Sequence, residues 1–479
     1  MNYCSLEFIF IFLPLFLIAH TFAPTKFKNT VLLVGSFVFY YFAVSLNSAY
    51  DDRDAVICLL LLGIAILINF ALGLLIENTD GVARKLCLAA GVLLNSLSLL
   101  FFKYAGALSA AFAALLPSSF APLSLIFPLG LSYYIFKCIS YLTEVYTGKV
   151  RAERNVIDLG AYFSLFPQIS VGPIQTYADF LPYLRSRKIT LPMINDGLYD
   201  FIIGLGLNII ISTRLGFIWT EPPYGIETIG YEFISTPYAW LGIIAFSVQL
   251  FIEAYGYSLM AIGLGKMLGY VTPPDFDYPY VSLSVSEFWR RWRMSLGGWF
   301  KENIYFPLGG SRVSTLRVLF NMLAVWIATG IWHTDGGNLK YIFWGLFLFF
   351  FAALERLGVL SFITKNKVLG HIYTPFVIIM SWVIFKLPSL SAIKTYFLRL
   401  FPIFGSSEFV IPTDFLSPLA RVGVWLVLGI LFCTPLPRKI FEKIRKYPVL
   451  SIPIMLAIFW YSIYMVACGA NNNSLYSNF

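Results

Sequence analysis

Three histidines are the natural starting points for acid–base chemistry in this 479-residue sequence, and one of them stands apart. His20 ends an apolar run and His371 opens another after a basic loop, positions that are typical of interfacial side chains. His333 lies between two apolar runs, in the stretch GIWHTDGG, beside Trp332 and among small residues. Because imidazole titrates near neutral pH, it suits a general base. From these residues alone, His333 is either a catalytic base or a hydrogen-bonded histidine of the core or the interface.

Four further polar side chains fall within apolar runs, where each is costly unless it is paired or hydrated. They are Lys137, Arg214, Gln249 and Glu253. Gln249 and Glu253 are four residues apart and therefore share one face of a helix. Two interpretations of Glu253 stay open: an ion pair with Lys137 or with an arginine that ties helices together, or a place in the lining of a substrate tunnel.

The usual signatures of soluble active sites do not occur in the sequence. It has no GxSxG elbow, no P-loop, no Rossmann glycine pattern and no HExxH. The six cysteines are scattered through apolar runs without metal-ligand or CxxC spacing, which favours buried free thiols. The sequence therefore predicts neither a metal site nor a bound cofactor.

Composition indicates which elements must position these residues. Hydrophobic residues make up 58% of the chain and charged residues only 12%, about half the usual share of roughly 25%. So few charges cannot cover a water-exposed surface, so we expect a protein of the lipid bilayer. The net charge of +9 comes from short clusters between apolar runs rather than from one patch. That pattern is typical of membrane proteins and argues against a nucleic-acid partner.

Apolar runs long enough to cross about 30 Å of hydrocarbon predict an all-α polytopic protein with 11 to 12 transmembrane helices. The runs cover 5–23, 30–46, 55–76, 86–102, 122–146, 197–219, 238–264, 317–332, 340–355, 371–388, 418–436 and 449–468. With the N-terminus outside, 25 of the 34 Lys and Arg residues fall on the cytoplasmic side and seven on the outer side. This asymmetry predicts that both termini face outward from a bacterial inner membrane.

Residues 160–181 form an apolar stretch that is split by Pro167, Gly172 and Pro173. The stretch is too broken to span a membrane, so we predict a re-entrant element on the cytoplasmic side. Irregular backbone at membrane depth must be buried in protein or line a cavity.

A second unusual stretch on the same side covers residues 275–312. Ser284 and Glu287 have the spacing of a capping box, which predicts a helix start. One face then carries Trp289, Trp292, Leu296 and Trp299, and the other carries Arg290, Arg293, Gly297 and Lys301. This pattern predicts one amphipathic helix lying in the inner membrane interface.

Five stretches of the chain together resemble the membrane-bound O-acyltransferase family, in the branch of the bacterial alginate O-acetylation membrane proteins. They are residues 127–134 (FPLGLSYY), 166–174 (FPQISVGPI), 256–263 (GYSLMAIG), 286–292 (SEFWRRW) and 330–333 (GIWH). The resemblance extends over about residues 122–345, with peripheral spans at 1–121 and 346–479. It implies a single transmembrane domain over 1–479, with helices around a central tunnel.

The resemblance also implies a reaction and roles for particular residues. His333 matches the family's essential histidine and would deprotonate an acceptor hydroxyl as that hydroxyl attacks a thioester carbonyl. Donor or tunnel contacts would come from Trp289, Arg290, Arg293 and Trp332, with Glu253 as a further candidate. The donor is expected to be cytoplasmic acetyl-CoA or another acyl thioester, bound as a substrate.

The expected acceptor side involves a partner outside the membrane. The acyl group would pass to a periplasmic or extracellular acyl-accepting protein or polysaccharide. The basic stretch 285–317 would suit the phosphates of coenzyme A or an acidic carrier protein. Two other functions stay open: a polysaccharide exporter or flippase without enzymatic activity, and a scaffold for a periplasmic acetyltransferase.

The sequence departs from the family pattern at three places. Arg293 stands where the family usually has a second histidine, and an arginine stays protonated, so it cannot act as a base. Leu259 replaces the common aspartate of GYSD. Residues 334–337 (TDGG) follow His333, and Asp335 could orient the imidazole only if the backbone folds back.

Overall fold

A computed structural model describes residues 1–115, 122–123, 125–334, 336, 338–402 and 410–470. Throughout these ranges the regular structure is helical, with no strand. The predicted all-α fold class is therefore confirmed.

Eleven α-helices occupy the chain up to residue 267. They are α1 (Leu13–Phe22), α2 (Lys28–Ser45), α3 (Asp52–Glu77), α4 (Gly81–Leu115), α5 (Leu131–Tyr146), α6 (Val156–Phe163), α7 (Tyr177–Arg185), α8 (Leu191–Gly206), α9 (Thr213–Thr220), α10 (Ile226–Ile229) and α11 (Thr236–Met267). The π-helical segments Phe8–Phe12 and Leu207–Ser212 and the 3-10 turn Thr25–Phe27 extend or join them.

Ten further α-helices follow within the described part of the chain. They are α12 (Val285–Arg291), α13 (Met294–Phe300), α14 (Thr315–His333), α15 (Lys340–Arg356), α16 (Ser361–Lys365), α17 (Lys367–Lys386), α18 (Leu390–Leu400), α19 (Leu416–Phe432), α20 (Leu436–Ile444) and α21 (Pro448–Ala467). The 3-10 turn Pro279–Val281 precedes α12, and the π-helical segment Lys301–Tyr305 follows α13.

Among the described residues, eight helices are long and apolar enough to cross a membrane. They are Thr25–Ser45, Asp52–Glu77, Gly81–Leu115, Leu191–Thr220, Thr236–Met267, Thr315–His333, Lys367–Lys386 and Pro448–Ala467. α19 and α20 form a pair that is bent by 82°. If this pair counts as one span, the described residues contain nine candidate spans. The sequence predicts more spans because apolar runs also form shorter helices. At 1.5 Å per residue, the 16 residues of α5 and the 17 of α15 reach only about 24 and 26 Å.

Two long helices form the buried centre of the protein. The most apolar windows of Leu191–Thr220 and Thr236–Met267 are 72% and 78% buried, against 11% for α4 at the periphery. Glycines let the two central helices approach closely, since a Cβ atom at Gly204 would lie 2.4 Å from the carbonyl oxygen of Gly256.

The predicted re-entrant element is an interrupted helical segment that lies inside the protein. α6 ends at Phe163, residues 164–176 are irregular, and α7 begins at Tyr177. A Cβ atom at Gly172 would lie 2.1 Å from the carbonyl oxygen of Pro167, so only glycine fits this turn. Gly130 has a φ of +68°, and a Cβ atom there would lie 2.1 Å from the carbonyl oxygen of Ile169. The irregular segment thereby packs against the start of α5.

The predicted single amphipathic helix over 285–301 is wrong in two respects. The structure has two short helices, α12 and α13, because Arg293 adopts a left-handed backbone conformation with a φ of 44°. Backbone hydrogen bonds to a neighbouring segment hold this break: Met294 N donates to Asp275 O and Asp277 N donates to Arg291 O. Trp292 and Trp299 are also buried inside the protein rather than lying in the interface. The predicted helix start is confirmed, since Ser284 Oγ accepts a hydrogen bond from Glu287 N.

Candidate active site

A cavity of about 1090 Å³ lies between α4, α5, α11, α12, α13, α14, α15 and α17. Its size lies just above the usual range for small-molecule sites, roughly 300–1,000 Å³. Aromatic side chains form much of its wall, including Trp289, Trp292, Trp326, Trp332, Trp344 and Trp382. Its cationic side chains are Lys103, Arg290, Arg293, Lys301, Lys340 and Lys386.

His333 is the last residue of α14 and lines this cavity. Its partly buried ring lies among four aromatic rings, with centroid distances of 4.3 Å to Trp332, 5.3 Å to Trp344, 5.2 Å to Phe385 and 6.1 Å to Tyr341. These contacts fix the imidazole at the cavity wall. An imidazole held in this way can exchange a proton with a bound substrate.

Close packing against α15 sets the position of α14. A Cβ atom at Gly330 would lie 2.7 Å from the carbonyl oxygen of Tyr341, and one at Gly345 would lie 2.6 Å from that of Trp326. Both positions therefore require glycine if the two helices are to keep this spacing. The side chain of His333 is placed from a backbone that has little freedom to shift.

The last turn of α14 is also held from α4 by two residues that the sequence analysis missed. Lys103 Nζ donates a hydrogen bond to the carbonyl oxygen of Trp332. It donates a second hydrogen bond, of 3.1 Å, to the carbonyl oxygen of Thr334. Tyr104 Oη donates to the carbonyl oxygen of Ile331 at 2.9 Å. The signal was present in the sequence, because a lysine follows directly after an apolar run. The apolar run predicts a span that ends at residue 102, whereas α4 continues to Leu115.

Trp289 and Arg290 lie in the wall of the cavity on α12. Trp289 packs edge-on against Trp326 and Trp344, at centroid distances of 5.3 and 5.5 Å. Arg290 is exposed, whereas its neighbour Arg291 forms ion pairs with Glu287 and Asp277. Of the two arginines, only Arg290 is among the described residues that line the cavity.

Arg293 is buried and binds three separate parts of the chain. Its Nη1 atom donates to Tyr133 Oη and to the carbonyl oxygen of Val171, both at 3.0 Å. The same atom lies 3.9 Å from Asp275 Oδ2, and Asp275 Oδ1 accepts from the hydroxyl and the amide of Ser295. Arg293 thus joins α5, the irregular segment and the segment that contains Asp275 while it also lines the cavity.

Glu253 lies elsewhere, outside the lining of this cavity. It is buried on α11 and accepts a hydrogen bond from Ser212 Oγ at 3.0 Å. Lys137 does not pair with it, because Lys137 Nζ donates to the carbonyl oxygen of Tyr162 at 2.9 Å and lies over the Tyr162 ring. The ion-pair interpretation for Glu253 and Lys137 is therefore wrong.

The other two histidines are not among the residues that line the cavity. His20 is buried and stacks on Phe16, and His371 is exposed with Nδ1 at 2.6 Å from the carbonyl oxygen of Lys367. Asp335, the residue weighed as a partner for His333, lies outside the described residues. Among the residues described, no group of three or more His, Cys, Asp or Glu side chains could hold a metal ion.

Comparison of the sequence with known proteins finds one family model and several relatives. The sequence model described as "MBOAT, membrane-bound O-acyltransferase family" matches residues 150–394. A protein of Azotobacter vinelandii named "Probable alginate O-acetylase" is 32% identical, over 81% of this chain and 76% of its own length. A peptidoglycan O-acetyltransferase of Helicobacter pylori is 30% identical, over 81% of this chain and 77% of its own.

A more distant similarity covers a smaller part of the chain. The teichoic acid D-alanyltransferase of Bacillus subtilis is 27% identical, over 47% of this chain and 58% of its own length. The three relatives are named for two acyl groups, acetyl and D-alanyl, and for three different polymers. The cavity and its histidine therefore have to be interpreted from the geometry of this chain.

Proposed function

This chain belongs to the membrane-bound O-acyltransferase family and is a multi-pass membrane O-acyltransferase, and from that premise we propose that it transfers acetyl groups toward an extracytoplasmic polysaccharide. The donor is cytoplasmic acetyl-CoA, or another acyl thioester, bound as a substrate. The relatives named as an alginate O-acetylase and a peptidoglycan O-acetyltransferase support acetyl as the group transferred.

One observation carries the proposal: a single cavity contains both His333 and the exposed cation Arg290. The residues of α14 that line the cavity run from Met322 to His333, eleven positions or about 16 Å at 1.5 Å per residue. An elongated cavity of this kind suits a donor with a phosphate-bearing end and a long arm that ends in a thioester. Arg290 binds the phosphates of the donor, and His333 lies beside its thioester.

In the proposed reaction, His333 is the general base. Neutral imidazole accepts the proton of an acceptor hydroxyl as the hydroxyl oxygen attacks the thioester carbonyl carbon. The carbon–sulfur bond of the resulting tetrahedral intermediate then breaks, and the imidazolium returns the proton to the departing thiolate. The products are an ester and free coenzyme A thiol, and His333 is neutral again. The aromatic wall around the ring limits the access of water, which would otherwise hydrolyse the thioester.

We place the donor and the acceptor on opposite sides of a bacterial inner membrane. The loops richest in Lys and Arg, including the one that carries Arg290, face the cytoplasm, and both termini face outward. The acetyl group leaves on the outer side to a periplasmic or extracellular protein, which then esterifies the polysaccharide.

The function is tested by the ester-linked acetyl content of the envelope polysaccharide in a deletion strain and in the same strain carrying the wild-type chain. We expect the deletion to remove the acetyl esters and the wild-type chain to restore them, with the amount of exported polymer unchanged. An exporter would give the opposite result, less polymer outside with a normal acetyl content. Normal amount and normal acetyl content in the deletion strain would contradict acetyl transfer.

Replacing Arg290 with glutamate is expected to raise the donor KM about 10-fold or more while kcat stays close to wild type. A charge-assisted hydrogen bond contributes about 1.5–3 kcal/mol, and 1.4 kcal/mol is a factor of 10 in affinity. The measurement is acetyl transfer from radiolabelled acetyl-CoA in inside-out membrane vesicles over a range of donor concentrations.

The matched control for that variant is Lys439→Glu, the same kind of charge reversal on α20 at an exposed site outside the cavity lining. It is expected to leave the donor KM unchanged. Equal KM values for Arg290→Glu and wild type, at normal protein level, would reject Arg290 as the phosphate-binding group.

A further inference from the structure

Two consecutive residues of α4 bind the turn that carries His333. Lys103 and Tyr104 together donate to the carbonyl oxygens of Ile331, Trp332 and Thr334, residues more than 220 positions away in the sequence. These acceptors stand on both sides of His333. The backbone of the histidine is therefore held before and after the residue itself.

The physical basis of this contact lies at the end of α14. The last four carbonyl groups of any helix lack partners within the helix and need donors from elsewhere. A cation near a helix C-terminus also interacts favourably with the helix dipole, by roughly 0.3–1 kcal/mol at exposed sites and more where partly buried. Lys103 meets both requirements, and Tyr104 supplies a further donor to the same turn.

The environment of Lys103 on α4 gives a second reason to assign a role to this contact. Only 11% of the most apolar window of α4 is buried, so most of this helix faces away from the protein. A lysine in such a helix is costly in a membrane unless it finds partners inside. Lys103 turns inward, lies 5.5 Å from the centroid of the Phe127 ring and lines the same cavity as His333.

We propose that Lys103 and Tyr104 are positioning residues that hold the imidazole of His333 in the orientation needed for acyl transfer. This inference rests on the proposed role of His333 as general base. A displacement of about 1 Å in a reacting group can lower a rate by about 10²-fold. Arg290, the residue proposed to bind the phosphates of the acyl donor, lies on a different helix, α12. Loss of the α4 contacts therefore lowers kcat and leaves donor binding intact.

The test compares three variants with wild type in the vesicle assay with radiolabelled acetyl-CoA. Lys103→Met removes the ammonium group, and we expect kcat to fall at least 30-fold with a donor KM within twofold of wild type. Tyr104→Phe removes one hydroxyl and keeps the ring, and we expect kcat to fall 3- to 10-fold. Lys103→Arg retains donors for the same carbonyl groups, and we expect it to recover most of the lost kcat.

Lys394→Met is the matched control, since Lys394 is exposed on α18 and lies outside the cavity lining. It is expected to have wild-type kinetics. A purely structural role for Lys103 would raise the donor KM together with the loss of kcat, and arginine would rescue protein level rather than turnover. Either that result or a wild-type kcat in Lys103→Met would overturn the proposal.

Two further outcomes separate this inference from the proposed function. If Lys103→Met fails to accumulate in the membrane, Tyr104→Phe decides, because it changes a single hydroxyl group and a wild-type kcat would then reject the positioning role. If His333→Ala is inactive while Lys103→Met and Tyr104→Phe turn over normally, only the positioning role fails. If His333→Ala is fully active, the proposed catalytic role of His333 is rejected.

Discussion

Replacing His333 with alanine is expected to lower kcat by about 10²- to 10⁴-fold, the range that a positioned general base contributes. The donor KM is expected to stay within about threefold of wild type, because the proposed phosphate contact at Arg290 is intact. Alanine removes the imidazole, and the described residues that line the cavity include no other histidine. The measurement is the initial rate of acetyl transfer from radiolabelled acetyl-CoA in vesicles with equal amounts of each variant.

His371→Ala is the control for that experiment, since His371 is an exposed histidine outside the cavity lining. It is expected to match wild type. The same pair of variants also separates an enzyme from a scaffold in cells. If His333→Ala restores full acetylation to the deletion strain, the chain recruits an acetyltransferase rather than performing the transfer, and the catalytic assignment is wrong.

Replacing Arg293 with methionine is expected to lower the free energy of unfolding by about 3–5 kcal/mol, the usual cost of removing one partner of a buried ion pair. Asp275 would then keep a buried carboxylate without the neighbouring guanidinium, and the carbonyl oxygen of Val171 and the hydroxyl of Tyr133 would lose a donor. Thermal unfolding of the purified protein in detergent, followed by circular dichroism, measures the effect as a lower Tm.

Arg312→Met serves as the comparison, because Arg312 is exposed. Surface substitutions of this kind usually change stability by less than about 0.5 kcal/mol. A wild-type Tm for Arg293→Met combined with a raised donor KM would contradict the structural role and would make Arg293 a binding group for the donor. Arg293→His restores the residue that the family usually has. We expect it to recover only part of the stability, because imidazole is too short to contact both Tyr133 and Val171.

Several properties followed from the sequence because they depend on composition or on short-range backbone geometry. A charged fraction of 12% cannot support a water-exposed surface, so the membrane class was determined by composition. Pro167 and Gly172 both disfavour a continuous helix, and the structure interrupts the helix between α6 and α7. The GIWH stretch is enough to indicate His333 as a candidate, because the residue type and its small neighbours stand together in the chain.

Properties that depend on contacts between distant segments were not predictable in this way. The tryptophan spacing over 285–301 satisfies a continuous helix, but hydrogen bonds to residues 275–277 favour a left-handed Arg293 and two shorter helices. Lys137 and Glu253 are both ionisable residues in apolar runs, yet each finds a different uncharged partner, Tyr162 O and Ser212 Oγ. The local sequence pattern indicates that a buried polar group needs a partner, but it does not indicate which residue that partner is.

The same distinction applies to the candidate site. The sequence by itself determined that the chain is a helical membrane protein and that His333 is its candidate base, because residue type, polarity and backbone breaks are properties of neighbouring residues. Only the tertiary structure brought Lys103 and Tyr104 of α4 onto the last turn of α14. Unpaired carbonyl groups at a helix end and an ammonium group in an apolar helix each require a partner. Packing of the whole chain decides that they satisfy one another.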